Sequence, residues 1–467
     1  MKVVLVGMPI SQQVHGSFTN PSVPLSIGYL AAYALQDRLI RKNVDLEILR
    51  LVLGAPDSQQ QDDETILQEI MLRTPDVVAF SCYIWNIDRI SHLSQMIKLV
   101  SEDITVIWGG PEVGFLAEET LAQNPSVDFV VRGEGEIAFA ELIKYLFRKG
   151  LDLEKIPGIA FRENGNIMIG PEPSLVRNLD DIPSPYLGRI FNLKEGPEGN
   201  RMLLEGMRRC SFRCGYCTCP GNVRYFSLDR LRREIEFCFE QDFESFALVD
   251  PFLNTSQARL SALADILQAI DPKQKKLGPC TLIAEMLNEE MVAVLSRMNI
   301  PIGETGLQST NPAVLRNIRR RFHPERYQRG VRLLQNAGIP VHIQIIAGLP
   351  GDTLDGLKRT LDFAISLRPD RLSCFSALLL PGSYLYEMRD RFQIRFDPRP
   401  PHRILGHYSL NYDEMLECLE LGNEACIEYS WLSKNEKNLV ADLDLEQFKA
   451  SGTPRRLRRI NTMRTPS

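Results

Sequence analysis

Short apolar runs alternate with helical patterns through the first 150 residues. The runs cover residues 3–6, 44–49, 77–81, 105–108 and 129–131. Several end in Gly, Ser or Asn, where a strand gives way to a loop. This alternation is typical of a doubly wound parallel sheet. We therefore expect residues 1–150 to form an α/β domain whose ligands bind at the carboxyl ends of the strands.

A second region of a different character follows. Residues 151–200 are rich in Pro, Gly and Asn, and X-Pro steps disfavour helix. The pattern predicts a connecting segment with a small hairpin near residues 159–169.

Strand and helix patterns alternate again from residue 201 to about 390. The predicted strands, with the residues that end them, cover 202–206, 246–250, 282–285, 303–309, 342–351 and 372–377. They predict six βα units. Residues 391–467 form a C-terminal extension with an extended stretch at 397–402 and helices at 412–428 and 443–449. For the basic tail at 455–459 we favour a solvated terminus over a contact for an acidic substrate or leader peptide.

Composition narrows the class of protein. The chain has 467 residues, 44% hydrophobic and 24% charged, with a formal net charge of -5 and a pI of about 5.9. These values are those of a soluble globular protein and do not favour a nucleic-acid binder. No apolar run approaches the roughly 20 residues that span a bilayer, and the N-terminus turns polar too soon for a signal peptide. Ten cysteines are too few for a disulfide scaffold, so we expect a cytoplasmic protein.

Three cysteines give the strongest chemical clue. Cys210, Cys214 and Cys217 have the spacing C-x3-C-x2-C. Thiolates are the ligands of iron–sulfur clusters, and three of them leave one iron of a 4Fe–4S cubane open to another ligand. Zinc is the alternative, because Cys219 could serve as the fourth ligand that a zinc site needs.

The motif resembles that of the radical S-adenosylmethionine (SAM) superfamily. The resemblance implies a partial (β/α)6 barrel and an open iron that chelates SAM. It also implies reductive cleavage of SAM to a 5′-deoxyadenosyl radical and an external electron donor such as a flavodoxin or ferredoxin. Tyr216 stands where the family has an aromatic residue near the adenine.

The resemblance also implies SAM contacts at the ends of later strands. Asp250 and Asn254 resemble the second-strand element that faces SAM, and Glu285 the carboxylate that holds the ribose hydroxyls. Gln308 and Ser309 match a Gly-Leu-Gln-Ser element that lines the pocket. Each could instead be a polar residue that only caps a strand end. Gly348 resembles the family's fifth-strand turn, which lies beside the adenine.

The loops of residues 1–140 resemble the B12-binding-like domain of one radical SAM subgroup. The resemblance implies cobalamin contacts from Ser81, Gly109, Gly110 and Arg132, with a domain that keeps the fold without the cofactor as the alternative. The Asp-x-His-x-x-Gly element of an axial histidine is missing, and we expect His15 and His92 to be ordinary residues, so cobalamin would bind without a histidine ligand.

Two outcomes of the radical chemistry remain open. In epimerisation of a peptide Cα, a thiol returns hydrogen, and Cys374 is our candidate because strand alternation would place it with Ser376 on the lumen face. The domain arrangement is similar to that of proteusin peptide epimerases, and we favour this outcome. Cobalamin-dependent methylation is the alternative, and a cobalamin or redox sensor without turnover is a remote one. A peptide or small molecule is the expected substrate.

Overall fold

A computed structural model describes most of the chain. The described residues are 1–8, 12–14, 17–19, 23–51, 62–148, 152–191, 201–241, 245–270 and 276–435. Within these ranges no helix is both long enough and apolar enough to cross a membrane.

A seven-stranded sheet forms the N-terminal part of the fold. Its order is β4-β1-β5-β6-β7-β8-β9; β4 to β7 pair in parallel and β8 and β9 are antiparallel. The strands of this part, including the separate β2–β3 hairpin, are β1 Lys2–Gly7, β2 Gln12–Val14, β3 Ser17–Thr19, β4 Asp45–Arg50, β5 Val77–Ser81, β6 Thr105–Gly109, β7 Phe129–Val131, β8 Ile159–Glu163 and β9 Asn166–Ile169.

Helices cover both faces of this sheet. Alternate strand residues pack to opposite sides: Val4 and Val6 join one core with α3 and α4, while Val3 and Leu5 join another with α1 and α6. Both faces are therefore buried, as in a doubly wound fold. The helices are α1 Leu25–Ala34, α2 Arg38–Asn43, α3 Asp63–Met71, α4 Ile87–Val100, α5 Ala117–Gln123 and α6 Gly135–Arg148.

The hairpin predicted near residues 159–169 is present as β8 and β9. It is part of the N-terminal sheet, because Phe129 of β7 pairs with Phe161 of β8. The sequence could not predict this, because the residues of a hairpin do not indicate which sheet it joins.

The second half of the chain forms a broken parallel barrel wall. It has two sheets, β10-β13-β14 and β15-β16-β17-β18, in which all strand pairs are parallel, and a small β11–β12 pair. The strands are β10 Arg201–Leu204, β11 Met207–Arg208, β12 Arg224–Tyr225, β13 Ser245–Leu248, β14 Lys276–Leu277, β15 Cys280–Thr281, β16 Gly303–Gln308, β17 Val341–Ala347 and β18 Arg371–Ser376.

Outer helices cover one face of these strands and share one large core with them. Val341, Ile343 and Ile345 of β17 point to that helical layer, while His342 points to the opposite, inner face, where its ring bonds Glu304 of β16. The helices are α7 Leu228–Glu240, α8 Gln257–Ile270, α9 Glu289–Ser296, α10 Pro312–Asn317, α11 Pro324–Asn336 and α12 Leu354–Ser366.

One predicted strand is displaced. Residues 282–285 lie beyond β15, and Ala284–Met286 form a 3-10 turn. The Asn254 side chain explains why the strand ends here. Its amide accepts the N–H of Ile283 and donates to the C=O of Ile283, so neither group is available to a neighbouring strand.

The C-terminal region packs onto the barrel. Its elements are α13 Tyr384–Glu387, β19 Arg395–Phe396, β20 Ile404–Gly406 and α14 Tyr412–Asn435. The predicted helix at 412–428 is therefore confirmed and continues further. The predicted helix at 443–449 and the basic tail at 455–459 lie outside the described residues.

Candidate active site

The three-cysteine motif lies in the loop between β11 and β12. Cys210 N–H donates to the Cys219 C=O at 3.0 Å, and Gly221 N–H donates to the Cys210 C=O at 2.9 Å. The Cys219 N–H also donates to Cys217 Sγ at 3.3 Å. Cys210 is buried, Cys214 and Cys217 are partly exposed, and all three are free thiols. One closed loop therefore presents all three sulfurs.

Gly215 fastens this loop to the barrel. Its N–H donates to the Ile318 C=O at 2.7 Å, and its own C=O accepts from the Leu385 N–H at 2.8 Å. A Cβ at Gly215 would lie 2.9 Å from Tyr384 Cδ1. Only glycine fits so close an approach without a shift of its neighbours.

Arg320, which no sequence motif singled out, lies against the cysteine loop. Its Nη1 is 3.7 Å from Cys214 Sγ and 3.4 Å from the Tyr216 hydroxyl, and its Nη2 donates to the Gly306 C=O. Burial lowers the pKa of Arg320, but Tyr216, Cys214 and Glu285 together raise it above its usual value. Arg320 Nε is buried without a hydrogen-bond partner among the described residues. Since such a donor is costly to leave unsatisfied, the site suits an anionic ligand.

The donor set of the loop fits an iron–sulfur cluster. Burial raises the pKa of Cys210 and Cys217, and iron ligation would offset that by taking both as thiolates. In the described ranges no three His, Cys, Asp or Glu side chains are grouped to hold a single metal ion.

The Asp250 carboxylate holds the backbone just before the cysteine loop by hydrogen bonds. Its Oδ1 accepts the N–H groups of Gly206 at 2.6 Å and Met207 at 3.1 Å, which lie four and three residues before Cys210. Burial raises the pKa of Asp250 to about 6, although these two hydrogen bonds act in the opposite direction. A Cβ at Gly206 would lie 2.5 Å from Asp250 Oδ2, so this contact requires the glycine.

Asn254 and Glu285 are linked through one segment. Asn254 is fully buried, donates to the Ile283 C=O at 3.0 Å and accepts the Ile283 N–H at 2.8 Å. Glu285 follows two residues later, partly exposed, and its charge acts on Arg320. Asn254 therefore holds the segment that presents Glu285, and its own amide is bonded to protein.

The remaining SAM candidates on the barrel occupy constrained positions. Gln308 has φ 66°, and its amide covers Gly306. Ser309 is buried, and its Oγ accepts the Asn311 N–H at 3.1 Å at the start of α10. Gly348 has φ 81°, and a Cβ there would lie 2.4 Å from Met415 Cε of α14, so a side chain would clash.

Two of the candidate cobalamin loops are packed together at the carboxyl edge of the N-terminal sheet. Gly110 has φ 115°, and a Cβ there would lie 2.5 Å from the Cys82 C=O. The Gly109 C=O accepts the Cys82 N–H at 2.7 Å. Ser81 Oγ lies 3.3 Å from Ser26 Oγ at the start of α1. The glycines thus permit close packing of two loops.

An aromatic pair stands at the same edge. The rings of Tyr83 and Trp85 stack at 4.4 Å, and Trp85 is 45% exposed. An exposed aromatic face at a ligand-binding edge fits a flat, largely apolar macrocycle. His92 lies within α4, 57% exposed and near Asp63, in the surface role expected for it. His15 lies outside the described residues.

Arg132 is bonded to the loop that follows β9, two strands along the sheet from β7. Its Nη2 donates to the C=O groups of Gly170 at 3.0 Å and Pro171 at 2.8 Å, after β9. Its neighbour Glu134 instead contacts the barrel, with Oε2 3.0 Å from Arg208 Nη1. The Arg132–Glu136 loop therefore connects the two halves of the molecule.

Cys374 lies on the outer face of the barrel wall. Its Sγ points at α14, where a Cβ at Gly422 would be 2.5 Å away. Burial raises the pKa of this thiol, and the nearby Cys426 and Cys418 of α14 add to the effect. The inner face of β18 carries Ser373, which bonds His342 Nε2 at 2.8 Å. The prediction that Cys374 faces the lumen is wrong, because α14 covers the face that alternation assigned to the lumen.

Two family models match the two halves. The B12 binding domain matches residues 14–143, and the Radical SAM superfamily matches residues 204–364, which include the cysteine loop. Residues 204–364 therefore form a radical SAM domain. The arrangement is that of the subgroup with an N-terminal B12-binding-like domain, as the sequence predicted.

The curated relatives of this radical SAM chain include methyltransferases. An uncharacterized methyltransferase of Pyrococcus horikoshii is 26% identical over 83% of this chain and 83% of its own length. The cobalamin-dependent radical SAM methyltransferase TokK of Streptomyces tokunonensis is 27% identical over 73% of this chain. This alignment spans 52% of TokK, so the chain covers about half of that relative.

Solved structures share the fold. The radical SAM methyltransferase TsrM of Kitasatospora setae has a TM-score of 0.66 at 18% identity, covering 85% of this chain and 77% of its own. The cobalamin-dependent radical SAM enzyme OxsB has a TM-score of 0.69 at 16% identity, covering 99% and 70%. The predicted order of parallel sheet, barrel and C-terminal extension is confirmed.

Proposed function

We propose that this chain is a cobalamin-dependent radical SAM methyltransferase. The observation that carries the proposal is the direct contact between the two matched halves, from Glu134 to Arg208, which places a B12-binding-like sheet beside the cysteine loop. Relatives named as methyltransferases at 26% and 27% identity support the same outcome. A 4Fe–4S cluster, SAM and cobalamin are the cofactors that this function requires.

At the barrel end, the chain's own residues would bind and orient the cluster and SAM. Cys210, Cys214 and Cys217 would hold three irons, which leaves the fourth for SAM. Arg320 would donate hydrogen bonds to the SAM carboxylate, because its buried Nε has no partner in the described part of the chain. Glu285 would accept the ribose hydroxyls, since one carboxylate can take two hydrogen bonds. When bound, the cluster would supply the electron that cleaves SAM, and cobalamin would carry the methyl group.

At the sheet end, the chain would hold a flat ligand from one side. The stacked Tyr83–Trp85 pair offers the apolar surface, and the loop at Gly109 and Gly110 forms the floor beside it. Arg132 stays a predicted contact: its Nη2 is bonded to the loop after β9, while its buried Nε has no hydrogen-bond partner among the described residues.

Methylation replaces epimerisation as the favoured outcome. Epimerisation needs a thiol in the lumen, and Cys374 lies beneath α14 instead. Methylation needs no hydrogen donor from the protein. The electron donor and the substrate stay predictions.

The deciding experiment supplies methyl-deuterated SAM, a candidate substrate and a reductant to the anaerobically reconstituted protein in deuterated water. Methylation predicts a product that gains one deuterated methyl group, with S-adenosylhomocysteine and 5′-deoxyadenosine formed together. A product that gains no methyl group but exchanges one hydrogen for a solvent deuterium would contradict the proposal and support epimerisation instead.

A further inference from the structure

A buried ionic network joins the N-terminal sheet to the cysteine loop. Arg208, two residues before Cys210, uses each of its three guanidinium nitrogens on a different carboxylate. Nη1 lies 3.0 Å from Glu134, Nη2 lies 2.8 Å from Glu136, and Nε lies 3.1 Å from Glu205. Two of these carboxylates come from the N-terminal part and one from the barrel.

The network is almost fully withdrawn from water. The side chains of Arg208, Glu134 and Glu136 are 10%, 12% and 6% exposed. Glu134 also pairs with Arg224, and lies 3.4 Å from Arg209 Nε. Every carboxylate oxygen of Glu134 therefore faces a guanidinium.

Aromatic rings close the network on its other side. The Arg208 guanidinium lies 5.3 Å from the ring centre of Tyr29 on α1 and 5.9 Å from that of Phe226 next to β12. These two rings stack on each other at 5.8 Å across the junction of the two halves. Arg208 is thus fixed by contacts from both halves at once.

Stability alone does not explain such an arrangement. Removing several charges from water offsets most of what their attraction contributes, and the best-attested use of buried ion pairs is to fix one register. A planar guanidinium that donates to several carboxylates fixes their positions as well as balancing their charge.

We propose that Glu134 and Glu136 hold the cysteine loop in place through Arg208 and so fix the distance between the two cofactor sites. This inference rests on the proposed function, because a reaction that joins a radical from one site to a methyl group from the other depends on their separation. Small misplacements of reacting groups reduce rates strongly. Glu134, Glu136 and Arg208 are positioning residues that act through the loop.

Two variants separate geometry from charge. Glu134→Gln keeps the shape and removes a charge, whereas Arg208→Lys keeps the charge and removes the three-way fork. Matched controls are Glu141→Gln on the exposed side of α6, where Glu141 pairs with Lys144, and Arg73→Lys, which alters a single pair with Glu47.

The first readout is hydrogen–deuterium exchange on the chain without cofactors. Both variants should raise amide exchange in residues 207–221 and 130–136 by at least about tenfold, and the controls should match the wild type. Unchanged exchange in both variants would overturn the proposal. If Arg208→Lys does not fold, Glu136→Gln takes its place with the same two outcomes, since Arg208 then keeps Glu134 and Glu205.

The second readout is 5′-deoxyadenosine formation from SAM after reconstitution. Both variants should keep wild-type iron content and lose at least about tenfold in rate, because the loop is displaced. Wild-type rates in Arg208→Lys would mean that charge alone matters and would also overturn the proposal. Should the wild type itself form no 5′-deoxyadenosine, the proposed function fails, while the exchange result still decides the role of the network.

Discussion

Arg320 is a single side chain on which the chemistry of the barrel end depends. It is partly buried, touches Cys214 and Tyr216, and has a buried Nε without a hydrogen-bond partner in the described ranges. A cation held in this way would bind the carboxylate of SAM more strongly than a solvated one, because little water competes for it.

Arg320→Gln should therefore weaken SAM binding without removing the cluster. A lost hydrogen bond to a charged group costs about 1.5–3 kcal/mol, which is about 10- to 100-fold in affinity. The measurement is SAM affinity and 5′-deoxyadenosine formation, with iron content as the check on cluster assembly. Arg321→Gln, at the exposed neighbouring position, is the control and should behave like the wild type. Equal losses in both variants would remove Arg320 from the SAM site.

Residue roles were only partly readable from the sequence. The cysteine motif could be recognised because its spacing alone specifies the ligand type. Arg320 could not, since an arginine in the run 319–321 looks like any solvated charge until burial is known. Asp250 and Asn254 were found by position, but both side chains bond backbone groups, which places them as supports for the loops that carry Cys210 and Glu285.

At the scale of elements, α14 determines which face of β18 is covered. Gly422 of α14 sits over Cys374, and Met415 of the same helix sits over Gly348. The helix therefore packs against the barrel wall at two positions where a small residue is required.

Gly422→Ala should destabilise this packing even though alanine favours helix. Helix propensity would gain about 1 kcal/mol, while overpacking against Cys374 Sγ costs about 1–3 kcal/mol. Adding Cys374→Ala removes the sulfur and should restore most of the loss, which a double-mutant cycle in the free energy of unfolding measures. Cys374→Ala alone should cleave SAM like the wild type. Additive effects in the cycle would show that Cys374 does not face α14.

Elements with strong periodicity were predicted closely, and those decided by tertiary bonds were not. The runs at 77–81 and 129–131 coincide with β5 and β7. Residues 282–285 failed as a strand, because the Asn254 side chain takes the backbone groups of Ile283. Cys374 was assigned to the wrong face for a similar reason: alternation gives two faces but does not say which one a later helix covers.

At the scale of the whole molecule, the C-terminal region also contacts the N-terminal sheet. His402 Nε2 lies 2.7 Å from Glu112 Oε1, and both side chains are buried. Burial lowers the pKa of His402, but the hydrogen bond and charge of Glu112 outweigh it, so the pKa is raised.

This pair should make stability depend on pH. A raised pKa in the folded state gives a contribution that is fully present below the unfolded value of about 6.5 and is lost as pH rises through the folded value. The melting temperature of the wild type relative to His402→Gln should therefore be higher at about pH 5.5 than at about pH 8.5. Glu112→Gln should remove the same difference. A gap that is constant or widens with pH would contradict the pairing.

The contact between the N-terminal sheet and the barrel could not be predicted from the sequence. The sequence predicts a cobalamin contact in the loop that begins at Arg132, because such loops end strands at the functional edge of a sheet. Its carboxylates instead meet Arg208, 74 residues on from Glu134, and no local pattern reports a contact across that separation.

Cofactor content and SAM products of the reconstituted chain test the central claim most directly. The wild type should hold about four irons and about one cobalamin, and should form 5′-deoxyadenosine from SAM. Replacing Cys210, Cys214 and Cys217 by Ala should abolish iron binding and 5′-deoxyadenosine while cobalamin stays bound, because the two sites lie on separate halves. A wild type that binds no cobalamin, or that holds about eight irons, would contradict the account.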